Sequence, residues 1–214
     1  RLLSQVLRAP VHFLPECYNP QRHQLPEGAE IAEDYVCDVT TAGNLHSWRG
    51  AYLGHLAAYN VRLWGSAPPL WFADKGVRAM YQGRPVYNAD KAQAFLGAKI
   101  VLNNLHYGEV WGANVRMFEA AGIGAFQLVD WRPGVSQLFE EDREVVTFRG
   151  IEDLKRLIDY YLPRDEERLA ISEAGKRRAA AEHTYRHRLD LLLTTLDGTE
   201  RGFPIPTVEW ASSP

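Results

Sequence analysis

From Tyr35 onward, short apolar runs alternate with amphipathic stretches. The run "YVCDVTTAG" (35–43) predicts a strand that stops at Gly43. "SWRGAYLGHLAAY" (47–59) predicts a helix with Ser47 as its N-cap. "VRLWG" is a second strand, "ADKAQAFLGA" a helix and "KIVLNN" a third strand. "GANVRMFEAAG" (112–122) then predicts a helix of barely two turns, followed by "AFQLVD" as a fourth strand. "SQLF" begins a turn or short helix, and "EVVTF" is a fifth strand. In "IEDLKRLIDYYL", Ile151, Leu154, Leu157, Ile158 and Tyr161 share one helical face. Residues 164–196 predict helix to the end, with breaks near Gly175 and His183.

Strands alternating with helices imply βαβ units and a parallel sheet covered on both faces. The expected fold class is therefore α/β, a doubly wound parallel sheet with C-terminal helices. Such sheets bind ligands at the carboxyl ends of their strands. Gly43, the segment after Val86, the loop after Asn104 and the residues after Asp130 should therefore share one rim. Residues 1–30, punctuated by Pro10, Pro15, Pro20 and Pro26, read as a connector. Residues 31–192 read as the domain and 193–214 as a tail, in which "GFPIPTVEWASSP" should pack across a surface or be partly disordered.

Composition narrows the function classes. A chain of 214 residues, 46% hydrophobic, can build one sizeable core. Its net charge of −3, with acids and bases interspersed, lacks the basic stripe of a nucleic-acid binder. No apolar run approaches the roughly 20 residues of a membrane span, and no signal peptide is recognisable. Two cysteines make neither a disulfide framework nor a zinc site, which points to the cytoplasm. No HxH, HExxH or CxxC spacing occurs, so no protein-held metal is expected. A GxSxG elbow and a P-loop are also missing. The chain starts at Arg1 without a methionine, as a fragment would.

The short helix carries the candidate chemistry. Asn114 suits an N-cap, leaving the N–H groups of Val115, Arg116 and Met117 open to an anion, with Arg116 adding a full charge. Glu119, one turn on, could accept hydrogen bonds from vicinal sugar hydroxyls. Phosphate at the N–H groups and ribose at the carboxylate would together make a nucleotide site. The same residues fit an ordinary capped helix in which Arg116 and Glu119 pair with each other or with water. In "TTAGNLHSWRG", Gly43 would let a ligand approach the backbone and Arg49 could meet a diphosphate, or the two could be a turn residue and a surface charge. His106 faces the same rim. His183, beside Tyr185 and Leu189, reads as part of a packed helix junction.

The collinear series "VHFLPECYNPQRH", "YVCDVTTAGNLHSWRGAYLGHL", "VRLWG", "YQGRPVYNADKAQAFLGAKIVLNN", "GANVRMFEAAGIGAFQLVD", "LFEEDREVVTF" and "EHTYRHR", over roughly residues 10–192, resembles the C-terminal half of the CgeB-like (spore maturation) glycosyltransferases. The resemblance implies one Rossmann-like half of a two-domain GT-B enzyme, which binds a nucleotide-sugar donor as substrate without cofactor or metal. It implies Glu119 on the ribose hydroxyls, and Gly112, Asn114 and Arg116 near the diphosphate and donor sugar. Gly43 and Arg49 would lie on the phosphate side, Val86 and Tyr87 at the base. Where such enzymes often carry an acid, eight positions before the glutamate, this chain has Trp111, and Glu109 stands out of register. Residues 1–30 would occupy the interdomain crossing, so the N-terminal acceptor domain would be absent and the chain alone would transfer nothing. Two further functions suit the same fold: a noncatalytic interaction module and a nucleotide-sugar epimerase.

Overall fold

The computed structural model describes residues 11–198 and Val6. Five strands form one parallel sheet: β1 (Cys37–Ala42), β2 (Val61–Trp64), β3 (Ala98–Asn103), β4 (Gln127–Asp130) and β5 (Val146–Phe148), in the order β2-β1-β3-β4-β5. The helices are α1 (Ser47–Gly54), α2 (Lys75–Met80), α3 (Asn88–Leu96), α4 (Val115–Ile123), α5 (Ile151–Tyr161), α6 (Asp165–Glu182) and α7 (Tyr185–Leu196). This is the α/β Rossmann-like architecture. Strand alternation explains the two layers. Val39, Ile100, Leu102, Leu128, Val146 and Phe148 face one way, onto Leu53 of α1, Val77 of α2 and Leu154 and Ile158 of α5. Val101 faces the other way with Phe95 of α3 and Ala120 of α4, and Val129 packs with Met117 and Phe118 of α4 and Ala179 of α6.

Three local expectations are corrected. The N-cap of α1 is His46, whose ring nitrogen Nδ1 accepts the Arg49 N–H at 3.2 Å, so Ser47 is already the first helical residue. Helix α6 runs unbroken through Gly175, because that residue packs against the Glu144 carbonyl, where a side chain would collide. Tyr185 and Leu189 are exposed rather than packed. Helix α2 went unpredicted, although Asp74 caps it by accepting the Val77 N–H at 3.0 Å. Of the expected tail 193–214, residues 193–196 belong to α7, and those from 199 on lie outside the described residues.

Within residues 11–30, Cys17 and Tyr18 are buried against the domain. The Tyr18 ring lies against Gly122 of α4, where any side chain would collide, and Arg188 of α7 donates to the carbonyls of Pro15 and Glu16. His183 ties this seam together. Its Nε2–H donates to the Leu138 carbonyl at 2.7 Å, its Nδ1 faces Arg188 Nη2 at 2.7 Å, and its ring lies against Phe118 and Phe139. Burial drops its pKa from 6.5 to about 4; the Leu138 bond opposes the change, and Arg188 reinforces it. An unfolded chain thus binds this proton at a higher pH than the folded one. Stability contributed by His183 is complete above pH 6.5 and is lost as the pH falls toward 4, by roughly 3 kcal/mol. Denaturant melts at pH 7 and pH 4 check this: His183→Gln should shrink the difference between them.

Candidate functional site

The strand order reverses between β1 and β3, so the crevice of this sheet opens beyond Ala42 and Asn103. Gly43 turns the chain there with φ +127, a conformation that L side chains rarely adopt. A Cβ at this point would lie 2.8 Å from Arg116 Nη2 and 2.9 Å from Arg49 Nη1. Two guanidinium groups therefore converge on one backbone position.

Each is held only by neutral oxygens. Arg49 donates from Nε to Asn104 Oδ1 at 3.1 Å and from Nη1 to the Asn44 carbonyl at 2.8 Å. Arg116 donates from Nε to the Ala42 carbonyl at 2.6 Å and from Nη1 to Asn103 Oδ1 at 2.8 Å. Arg49 is 4% exposed, Arg116 is partly exposed, and neither forms an ion pair among the described residues. Burial, then the neighbouring Arg116 charge, push Arg49 down to about 8, with Glu109 acting the other way. Burial likewise pushes Arg116 down to about 10 against the pull of Glu119 and Glu109. Two like charges side by side, with no carboxylate in contact and only the more distant Glu109 and Glu119 opposing them, are an electrostatic deficit that an anion would fill.

A cavity of about 240 Å³ opens from this point, lined by Gly43, Val86, Tyr87, Arg116 and Glu119 together with Trp64, Lys91 and Val115. Five expected residues thus meet in one place, and Arg49 backs the cavity at Gly43. Glu119 is 5% exposed and does not pair with Arg116. Lys91 Nζ donates to its two oxygens at 2.8 and 2.9 Å, and His23 Nε2 stands 3.3 Å from Oε1. With three contacts on a carboxylate that offers about four acceptor sites, Glu119 can still accept a hydroxyl. Tyr87 is 66% exposed at the cavity mouth, whereas Val86 is buried in its wall.

The remaining expected residues lie beside this cavity. Gly112 and Asn114 line a neighbouring pocket of about 280 Å³ with Glu16 and Glu109. Asn114 takes the N-cap position of α4, but its side chain caps nothing, and its Oδ1 is buried without a partner. The Glu16 carboxylate faces this helix start. Burial, then Glu119, hold Glu16 above its ordinary range, while the Val115 N–H draws its pKa the other way. His106 lies outside the main cavity, its ring 5.0 Å from His46 and 4.1 Å from Tyr107. Among the described residues no group of three or more His, Cys, Asp or Glu is placed to hold a metal ion, and no helix is long and apolar enough to cross a membrane.

Asn103, Asn104, Lys91 and His23 escaped the sequence reading. Only the consecutive amides ending the apolar run "KIVLNN" were a visible signal. Lys91 and His23 reach Glu119 from distant elements and leave no local pattern.

A family model described as glycosyl transferase-like matches residues 48–194. No curated protein matches the chain in sequence. Solved structures similar in fold include sucrose-phosphate synthase from Thermosynechococcus elongatus (12% identity, TM-score 0.64, covering 87% of this chain and 53% of that one). HepE from Anabaena in complex with UDP-glucose aligns at 15% identity and TM-score 0.64, over 85% of this chain and 56% of that one. The C-terminal domain of a glycosyl transferase group 1 family protein from Francisella tularensis aligns at 11% identity and TM-score 0.59, over 78% of this chain and 99% of that domain. The chain thus spans about half the length of the first two and nearly all of the isolated domain.

Proposed function

The chain belongs to the glycosyl transferase-like family, and from that premise we propose that it is the donor half of a two-domain GT-B glycosyltransferase, of the CgeB-like kind its motif order resembles. One observation carries the reading: two guanidiniums, held by neutral oxygens alone, converge on the Gly43 turn at the switch point of the sheet. A nucleoside diphosphate supplies the missing negative charge there. A ribose hydroxyl donates to Glu119, and the base lies toward Val86 and Tyr87 along the same cavity. That HepE has been solved with UDP-glucose supports a nucleotide sugar as the ligand class.

In this reading the chemistry is electrostatic. As the glycosyl bond breaks, negative charge grows on the departing diphosphate, and Arg49 and Arg116 are already oriented toward it. They take the part that a divalent cation plays in metal-dependent transferases. The acceptor and any general base come from the other half of the enzyme, across a cleft that closes on binding. The buried, unpaired Cys17 and Cys37 suit a cytoplasmic enzyme.

Titration calorimetry of the chain with UDP, GDP, ADP and their sugars tests the reading. One nucleoside diphosphate binds; no binding by any of them would refute it. Glu119→Gln should weaken the bound nucleotide about tenfold, because a charge-assisted hydrogen bond to ribose becomes a neutral one. An unchanged affinity in that variant would remove Glu119 from the site.

A further inference from the structure

Asn103 ends β3 and Asn104 follows it directly, both fully buried, and each accepts from a different arginine of the Gly43 pair. On stability alone, asparagine is the poorer choice at both positions. The oxygen of each amide must face a guanidinium, since two N–H groups cannot bond each other. That leaves Asn103 Nδ2 and Asn104 Nδ2 buried, and neither finds a partner. An unmet buried donor is costly, and so is a desolvated cation with no carboxylate in contact. Aspartate has the same shape, has no donor to orphan and carries the charge each arginine lacks. Departures from local consistency of this kind gather at functional sites.

We propose that Asn103 and Asn104 are positioning residues that aim Arg116 and Arg49 at the donor diphosphate while leaving their charge uncompensated, a role that rests on the nucleotide-sugar reading above. The amide oxygen orients each guanidinium through a single directed bond, weaker than a carboxylate's but set in the same place. Because the amide is neutral, the two positive charges stay available to the ligand. An aspartate at either position would hold the arginine more tightly and fill the deficit from within. The pair thus separates two properties that usually travel together, the orientation of a cation and its neutralisation.

The two properties respond in opposite directions to Asn→Asp substitution, which a merely structural role would not produce. The test uses Asn103→Asp and Asn104→Asp, each measured for melting temperature without ligand and for affinity toward inorganic pyrophosphate and UDP. Both variants are expected to melt higher than the wild type, and both to bind pyrophosphate at least about tenfold more weakly. A lower melting temperature in both variants, or pyrophosphate affinity unchanged from the wild type, would overturn this inference and leave the nucleotide site standing. Absence of wild-type binding to pyrophosphate and to each of UDP, GDP and ADP would overturn the inference together with the reading beneath it.

Discussion

Gly43→Ala is expected to weaken nucleoside diphosphate binding by about 100-fold or more and to lower stability by roughly 1–3 kcal/mol. Two causes act at once. The residue has φ +127, where a Cβ is strained whatever its surroundings. The new methyl would also stand 2.8 and 2.9 Å from nitrogens of Arg116 and Arg49. Long arginine side chains usually swing away from such an intrusion, but these are pinned through Nε and Nη1 to Ala42, Asn103, Asn44 and Asn104. Relief therefore comes only by breaking the bonds that aim the pair. Calorimetric titration with the tightest nucleotide of the panel, beside a thermal melt, measures both effects; wild-type affinity in Gly43→Ala would remove this turn from the binding site.

Arg116→Met separates charge from packing. Methionine fills most of the volume of the arginine stem, so the core contacts of α4 survive. Arg49 loses the like charge beside it, which offsets part of the loss of the bonds to Ala42 and Asn103. The melting temperature should move by only a few degrees, while affinity for the nucleoside diphosphate falls about 100-fold. Arg116→Lys should fall between them, because an ammonium keeps the charge without the planar fork that meets two acceptors at once. Equal affinity across the three chains would show that the ligand avoids this guanidinium.

Much of this architecture was legible because it is periodic. The alternation in β1, where Val39 faces one layer and Thr40 the other, follows directly from the pleat, as does the apolar stripe of α5. The glycine closing β1 and the polar opening of α4 stood out as breaks in that periodicity. What escaped was set by contacts between distant segments. Ser47 reads as the cap of α1, yet the ring of His46 takes the Arg49 N–H and the cap position. Gly175 reads as a helix breaker until the strand-side carbonyl of Glu144 is placed against it. Asn114 reads as a cap, yet its side chain caps nothing, and a carboxylate from residue 16 faces the helix start instead. The partners of Glu119 come from residues 23 and 91, and those of the arginines from the adjacency of β1 and β3. The residue types of the site were visible locally, and their division of labour was not.

The central claim, that the Arg49–Arg116 pair holds the diphosphate, is tested most directly by a comparison of three ligands on two chains. The ligands are the best-binding nucleoside diphosphate, its monophosphate and its nucleoside; the chains are wild type and Arg116→Met. In the wild type, affinity should rise about 100-fold or more from nucleoside to diphosphate. In Arg116→Met most of that rise should vanish, while affinity for the nucleoside stays unchanged. Equal wild-type affinity for nucleoside and diphosphate, or an Arg116→Met loss of the same size for all three ligands, would contradict it.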